Sequence, residues 1–277
     1  MLGIAYKREL PKLSSETLWQ YYTNNTNTLH KNKTPIAKIY VFCDEFTNYF
    51  DVNTGISTLK LLSKVGFHPV VVAHEESGRS AISKGLLPFA KEKANQNIEI
   101  FKNLVSDESP LIGIEPSAII SFRDEYKRLA DDKEAIENLA RNTFTIEEFL
   151  KTCIDKNIIT DSLFTHKKRN IKIHAHCHQK ALSSSAPTFA ILNLPKNYNV
   201  TILNTGCCGM AGSFGYEEEH YDISMQIGED SLFPKLRKLE NDTIIAAAGT
   251  SCRHQITDGV NKKALHPVEI LFNALIE

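Results

Sequence analysis

Ile39-Tyr40-Val41-Phe42-Cys43 is a continuous apolar run that decides the fold class of this chain. A strand has this composition when both of its faces are buried, as in a parallel sheet covered by helices. The run is followed by helical spacing from Gly55 to Val65 and by a second short apolar segment from His68 to Ala73. This order of strand, helix and strand predicts an α/β fold.

The second half of the chain repeats the same order. Strands are predicted at Lys172 to His176, Val200 to Asn204 and Thr243 to Ala248, with helices between them. Three pairs of residues at equivalent strand ends are separated by about 131 to 134 positions: Cys43 and Cys177, Gly78 and Gly209, Ala118 and Cys252. The sequence therefore predicts two pseudo-duplicated, Rossmann-like parallel-sheet half-domains.

These repeats divide the chain into three segments. Residues 1–36 are polar and are predicted to be a linker or N-terminal extension with one short helix, Glu16 to Thr23. The first half-domain is predicted at 37–150 and the second at 165–277. Ligands of such sheets gather at the carboxyl ends of the strands, and we expect the two sets of ends to meet at a shared cleft.

Composition excludes several classes of protein. The 277 residues are 42% hydrophobic and 23% charged, as in a soluble globular protein, and the net charge of −1 gives no indication of nucleic-acid binding. No apolar run has the length of a transmembrane segment, and Met1 to Leu10 lacks the apolar core of a signal peptide. We expect a cytoplasmic protein, with peripheral attachment to the inner membrane face as the alternative.

Cys207-Cys208-Gly209 is the motif that carries chemistry. Adjacent cysteines do not easily form a disulfide with each other, but both thiolates can point into one cavity and bind a soft metal. Cys177 and Cys252 follow two other predicted strands of the same half. The glycines around the pair, which include Gly206 and Gly212, allow backbone N–H groups to approach sulfur.

The arrangement of these cysteines resembles the cysteine-rich "CCG" domain of iron–sulfur oxidoreductases. The matching stretches are His174 to Leu182, Cys207 to Glu217 and Gly249 to Ile256, with weaker matches around Gly78-Arg79 and Gly113 to Ser117. They are similar to the C-terminal iron–sulfur part of FAD-linked dehydrogenases of the D-lactate/glycolate oxidase type.

The resemblance implies an electron-transfer module of a flavin-linked 2-hydroxy-acid dehydrogenase. It implies an iron–sulfur cluster, of the 4Fe-4S kind, bound by Cys177, Cys207, Cys208 and Cys252, with zinc as the alternative metal. FAD is expected on a partner flavoprotein subunit or domain, or on a missing N-terminal region, with a quinone or another carrier as electron acceptor. No residue of this chain is assigned a catalytic role.

The chain also departs from the family pattern. In the first, degenerate copy Glu76-Ser77 replaces the cysteine pair and Ala118 replaces the last cysteine, so that copy is predicted to hold no cluster. In the second copy Gly249 replaces one further cysteine, which puts in doubt a five-cysteine, two-cluster site. Cys153 is interpreted as structural, and Cys43 as either core filler or a relic of a lost site.

Histidines near the motif are expected to support it. His178, Gly209 and His254 are predicted to lie around the ligands and to hydrogen-bond to them. By strand alternation, His174 and His176 are expected to face away from Cys177. Lys180 and Arg253 either offset the charge of the thiolates or are solvated surface charges.

Two other classes of function stay open at this point. One is a zinc-binding or metal-free structural module that holds subunits together. The other is a thiol/disulfide reductase of the heterodisulfide reductase type, in which Cys207 or Cys208 reacts directly. A low thiolate pKa at one of these cysteines favours the reductase.

Overall fold

The computed structural model describes residues 3–276. Met1, Leu2 and Glu277, which belong to the predicted segments 1–36 and 165–277, lie outside the described residues. The chain forms two compact units. The first unit is Leu13–Ile159, and the second unit combines the described parts of Met1–Lys12 and Thr160–Glu277.

The first unit contains a four-stranded parallel sheet surrounded by helices. Its strands are β1 (Lys38–Phe42), β2 (His68–Val70), β3 (Leu111–Gly113) and β4 (Thr143–Thr145). Its helices are α1 (Leu18–Leu29), α2 (Glu45–Tyr49), α3 (Val52–Lys64), α4 (Arg79–Ser83), α5 (Leu87–Phe101), α6 (Pro116–Ile119), α7 (Glu125–Leu129), α8 (Lys133–Arg141) and α9 (Ile146–Asp155).

The second unit contains another four-stranded parallel sheet. Its strands are β5 (Arg169–His174), β6 (Tyr198–Ile202), β7 (Ile244–Ala247) and β8 (Ala264–Leu265). Its helices are α10 (Cys177–Leu182), α11 (Ala186–Leu192), α12 (Tyr221–Arg237), α13 (Thr250–Val260) and α14 (Pro267–Phe272).

Both sheets have the same strand order. In the first sheet β1 lies between β2 and β3, and β4 pairs with β3. In the second sheet β5 lies between β6 and β7, and β8 pairs with β7. The predicted α/β class with parallel sheets is therefore confirmed. Because the strands of each sheet are parallel, the segments that follow the three neighbouring strands of a sheet emerge side by side at one edge.

The apolar run at β1 behaves as its composition predicts. Val41 and Phe42 are fully buried, and Phe42 packs in one core with Phe101 and Phe122. The core of the second unit includes Phe233 and also Cys208 and Cys252. Two of the cysteines of interest therefore lie at the boundary between the hydrophobic core and the strand ends.

Local signals set several helix boundaries. Thr145 caps α9 in a reciprocal capping box with Glu148. The segment from Ser80 to Asn95 lies in two helices, α4 and α5, and Pro88 lies in the first turn of α5. Between α8 and α9 the short strand β4 pairs with β3.

None of the helices between residues 3 and 276 combines the length and the apolar character that a membrane span requires.

Candidate metal centre

Cys177 begins the helix that follows the central strand of the second sheet. β5 ends at His174, and His176 caps α10 by accepting a hydrogen bond from the backbone N–H of His178 at 3.2 Å. Cys177 is the first residue of α10, and its side chain is partly exposed.

Cys207 and Cys208 lie in the loop after β6, and Gly209 gives this loop its shape. Gly209 has a φ of +94°, which disfavours residues with a Cβ, and a Cβ there would lie 2.2 Å from the carbonyl oxygen of Ser224. The N–H of Gly209 donates to the sulfur of Cys207 at 3.3 Å. The close approach to Ser224 thus fixes the backbone directly after the two cysteines.

Cys252 comes from the third strand end. It is the third residue of α13, which follows β7, and only 1% of its surface is exposed. Since β6 and β7 both pair with β5, the residues that follow these three strands meet at one edge of the sheet.

The structure brings all four predicted cysteines together. The sulfurs of Cys177 and Cys207 are 3.7 Å apart. Cys207 and Cys208 are neighbours in the chain, and the sulfurs of Cys208 and Cys252 lie within 4.8 Å of each other. All six cysteines of the chain lie among the described residues, and all are free thiols.

The pKa values of the four thiols shift in different directions along this row of sulfurs. A hydrogen bond from the Cys177 thiol lowers the pKa of Cys207, and the Cys208 thiol and the N–H of Gly209 lower it further. The neighbouring side chains of Cys208 and His174 lower the pKa of Cys252. The neighbouring Cys207 and burial raise the pKa values of Cys177 and Cys208. A lowered pKa favours the thiolate, which is the form of cysteine that binds metal.

His174 lies beside Cys208 and Cys252, and its expected orientation away from Cys177 stays a prediction. One of its ring nitrogens and the sulfurs of Cys208 and Cys252 all lie within 4.8 Å of one another. β5 ends at His174, and the backbone turns into α10 before it reaches Cys177, so strand alternation does not relate these two side chains.

The other predicted supporting residues have the following contacts. Gly209 donates to the Cys207 sulfur, and the ring of His178 stacks on that of His176 at 5.5 Å between centroids. Nδ1 of His254 lies 2.7 Å from the hydroxyl of Tyr216. The roles predicted for His178, Gly209 and His254 stay predictions.

The two basic residues near the motif bind backbone carbonyls. Lys180 donates to the carbonyls of Thr205 and Gly206, at 3.0 Å each, so its charge lies beside the loop that precedes Cys207. The buried Arg253 donates to the carbonyls of Ala247 and Ala248 at the end of β7. Arg253 is therefore not a solvated surface charge.

Gly249 packs directly on a histidine. A Cβ at Gly249 would lie 2.3 Å from Cδ2 of His176. With His176 in this position, a fifth cysteine side chain at residue 249 does not fit. The packing is consistent with four cysteines at the site.

A buried polar network that the sequence did not indicate supports the cysteine loop. The guanidinium of Arg8 donates to the carbonyl of Gly215 at 2.7 Å and to Oγ of Ser224 at 3.0 Å, and it forms an ion pair with Asp258 at 2.8 Å. Nε2 of Gln255 donates to the Ser224 carbonyl at 3.0 Å, the same oxygen that faces Gly209. Sequence spacing gave no signal for this network, because Arg8 is 216 positions away from Ser224.

The two remaining cysteines belong to the first unit. Cys43 is 8% exposed, and its sulfur lies 3.5 Å from Oδ1 of Asn48. Burial, with the neighbouring Asp44, raises the pKa of the Cys43 thiol. Burial also raises the pKa of Cys153, in α9, to about 12. Burial thus favours the neutral thiol at both positions.

Comparisons with known proteins relate the chain to dehydrogenases. No family model matches it. It is 26% identical over 276 residues to D-2-hydroxyglutarate dehydrogenase of Escherichia coli (strain K12), a match that covers 96% of this chain and 26% of that protein. The chain thus spans about a quarter of the length of that relative.

Two further matches cover more of the relatives. The chain is 25% identical over 280 residues to the C subunit of anaerobic glycerol-3-phosphate dehydrogenase from Escherichia coli (strain K12), covering 99% of this chain and 67% of that protein. It is 24% identical over 267 residues to lactate utilization protein A of Macrococcus caseolyticus. This match covers 85% of this chain and 96% of that protein. These similarities support a redox-related module in general terms.

Proposed function

We propose that this chain is an iron–sulfur electron-transfer module of a flavin-linked 2-hydroxy-acid dehydrogenase of the lactate/glycolate type. The observation that carries the proposal is the convergence of Cys177, Cys207, Cys208 and Cys252 at one edge of the second sheet, with the pKa values of two of the thiols lowered. Four soft donors at the boundary of a hydrophobic core suit iron–sulfur chemistry.

In this proposal the four cysteines hold the cluster, and the other residues tune it. A bound cluster supplies one-electron transfer, and its potential depends on burial, nearby charge and hydrogen bonds to sulfur. The N–H of Gly209 on the Cys207 sulfur is one such hydrogen bond, and the Lys180 ammonium beside the loop is one such charge. Both stabilise negative charge on the sulfurs.

In this proposal, hydride transfer from the substrate takes place on another domain or subunit. An iron–sulfur cluster does not accept hydride, whereas a flavin does and can pass electrons on singly. The similarity to one part of a longer D-2-hydroxyglutarate dehydrogenase, and to one subunit of another dehydrogenase, supports a flavoprotein domain or subunit as electron donor. A quinone or another carrier is the proposed acceptor, and with a membrane quinone the module would work at the inner membrane face.

We further propose that the two units arose as a pseudo-duplicated, Rossmann-like pair, with a first half at 37–150 that holds no cluster and a second at 165–277. The shared strand order of the two sheets supports this. Gly78 and Gly209 both have a positive φ after the second strand of their sheet, of +67° and +94°. Superposing the two sheets should align these glycines, and alignment of either glycine with an unrelated element would contradict the duplication.

A single zinc ion is the second candidate occupant. Zinc binds thiolate sulfur at about 2.3 Å, so two thiolates on a tetrahedral ion lie about 3.8 Å apart. The 3.7 Å between the sulfurs of Cys177 and Cys207 fits this value. A zinc site would make the chain a structural module, because zinc has no redox chemistry.

A thiol/disulfide reductase is the third candidate, and the lowered pKa of the partly exposed Cys207 favours it. The Cys207 thiolate would attack a substrate disulfide, and the Cys177 thiol beside it would resolve the mixed disulfide. One Cys177–Cys207 disulfide would form as one substrate disulfide is reduced to two thiols.

One preparation distinguishes the three candidates. The full chain is purified anaerobically and analysed for iron, acid-labile sulfide and zinc, and its electron relay from dithionite to the soluble quinone menadione is measured. The proposal predicts iron and sulfide in similar amounts and a relay that Cys208→Ser abolishes, with Cys153→Ser as the matched control that retains it. Zinc alone, without relay, would support the structural module. Metal-free protein with rapid alkylation of Cys207 would support the reductase.

A further inference from the structure

His174 has the environment of a metal-binding histidine. It lies at the end of β5 with 1% of its surface exposed, and its Nδ1 is 2.8 Å from the hydroxyl oxygen of Thr205. Histidines that bind metals through one nitrogen commonly hold the other nitrogen in a hydrogen bond to an oxygen, which fixes the ring and its tautomer. The Thr205 contact does this at Nδ1.

The second nitrogen of the ring is buried and has no hydrogen-bond partner among residues 3–276. A buried polar atom without a partner costs about 1–3 kcal/mol, so such an atom in a folded protein calls for an explanation. The sulfurs next to His174 supply one, because a ligand atom of His174 lies within 4.8 Å of those of both Cys208 and Cys252.

The ligand atoms of His174, Cys208 and Cys252 form a triangle whose size suits a metal ion at its centre. Typical bond lengths of about 2.3 Å to sulfur and 2.0–2.1 Å to nitrogen separate the donors of a tetrahedral ion by about 3.3–3.8 Å. Donors no more than 4.8 Å apart reach this spacing when each moves inward by roughly half an ångström.

We propose that Nε2 of His174 is a direct metal ligand beside Cys208 and Cys252. This inference rests on the proposed thiolate metal site and adds a nitrogen donor to it. One of the less buried Cys177 and Cys207 supplies the fourth position of the tetrahedral ion. Imidazole and thiolate together suit zinc and iron, and one neutral donor makes the site less negative than thiolates alone.

X-ray absorption at the metal edge tests this directly in the unmodified chain. The full chain is prepared anaerobically, as purified and after metal removal and reloading with Zn²⁺. The expected spectrum contains one nitrogen at about 2.0–2.1 Å together with sulfurs at about 2.3 Å. In His174→Ala the nitrogen contribution is lost and Zn²⁺ affinity falls at least 10-fold. Thr205→Val, which removes the contact to Nδ1, should lower the affinity by about 10–100-fold.

His166→Ala is the matched control, because His166 is an exposed histidine of the same unit. It should keep the wild-type spectrum and affinity. A wild-type spectrum with sulfur donors alone would overturn the histidine assignment and leave the thiolate site intact. A spectrum without sulfur, or the absence of any bound metal, would overturn both. The wild-type spectrum alone tests for the nitrogen ligand, so the result does not depend on whether His174→Ala folds.

Discussion

The carboxyl ends of the two sheets have the same layout but carry different side chains, with a carboxylate in the first unit where the second has a cysteine. After the central strand of each sheet a side chain caps a helix: Asp44 caps α2 and His176 caps α10. The next residue, the first of the helix, is Glu45 in the first unit and Cys177 in the second. Matching the caps therefore pairs Cys177 with Glu45, whereas spacing along the sequence pairs it with Cys43.

The contact made by this residue also differs between the two units. The carboxylate of Glu45 accepts hydrogen bonds from the backbone N–H of Ser77 at 2.9 Å and from its hydroxyl at 2.7 Å. Cys177 instead has the Cys207 sulfur at 3.7 Å. The first unit fills this position with a hydrogen-bonded carboxylate, and the second with soft sulfur donors.

The third strand end shows the same replacement. Ala118 is the third residue of α6 and is fully buried, and Cys252 is the third residue of α13. An alanine side chain has no atom that can bind a metal, and carboxylate oxygens such as those of Glu45 do not suit soft metals. One strand order thus supports a hydrogen-bonded carboxylate after the central strand of the first unit and a cluster of cysteines at the strand ends of the second.

The largest effect should come from the cysteine pair. Cys208→Ser replaces the most central thiol of the row and should lower bound metal at least tenfold, because a serine hydroxyl is a poor ligand for a soft metal. Cys43→Ser, in the first unit, should leave metal content unchanged. Metal analysis of anaerobic preparations checks both, and equal losses would break the contrast between the units.

Gly209→Ala should destabilise the second unit by about 3 kcal/mol, because a left-handed φ and a 2.2 Å approach to the Ser224 carbonyl both oppose a Cβ. Gly212→Ala is the matched control. Its φ is also positive, at +67°, but a Cβ there meets no atom within 4 Å in the described part of the chain. We expect a cost of about 1 kcal/mol for the control. Urea unfolding measures both, and equal costs would show that the contact with Ser224 is unimportant.

The parts of the fold that the sequence predicted are those with a local pattern long enough to recognise. The apolar run at β1 and the cap at Thr145 were predictable, because each is a local pattern with a known physical cause. The strands β4 and β8 were missed, because segments of three and two residues are too short to show periodicity. Their place is set by pairing with β3 and β7.

The same distinction applies to the candidate site. The grouping of the four cysteines could be predicted, because parallel strands end at one edge of a sheet. The position of His174 could not, since it depends on the residue at which β5 ends. The Arg8 network is a tertiary arrangement across more than 200 residues, for which no local pattern exists.

Glu147 gives the first unit a pH dependence of its own. Burial raises the pKa of this carboxyl from 4.5 to about 7. The folded state therefore holds its proton more tightly than the unfolded state, so this contribution to stability is complete below pH 4.5 and is lost as the pH rises towards 7. Between pH 5 and 8 the wild type should lose about 2–3 kcal/mol more than Glu147→Gln.

Urea midpoints at the two pH values provide the measurement, read from a probe in the first unit. Parallel pH profiles for the wild type and Glu147→Gln would contradict the raised pKa. Bound metal should be the same in both proteins, because Glu147 belongs to the other unit.

The smallest expected effect concerns Ser77, which lies directly before Gly78 as Cys208 lies before Gly209. Ser77→Ala removes the hydroxyl that donates to Glu45 and accepts from the N–H of Arg79. We expect a loss of about 1 kcal/mol in the stability of the first unit and no change in metal content. Loss of metal in this variant would indicate that the first unit contributes to the centre.

An anaerobic redox titration followed by electron paramagnetic resonance tests the central claim most directly. The account predicts a one-electron signal that appears on reduction in the wild type and in Cys43→Ser, in proportion to bound iron, and that is missing in Cys208→Ser. A preparation that remains silent at every potential, with zinc or no metal at the four cysteines, would contradict electron transfer by the second unit.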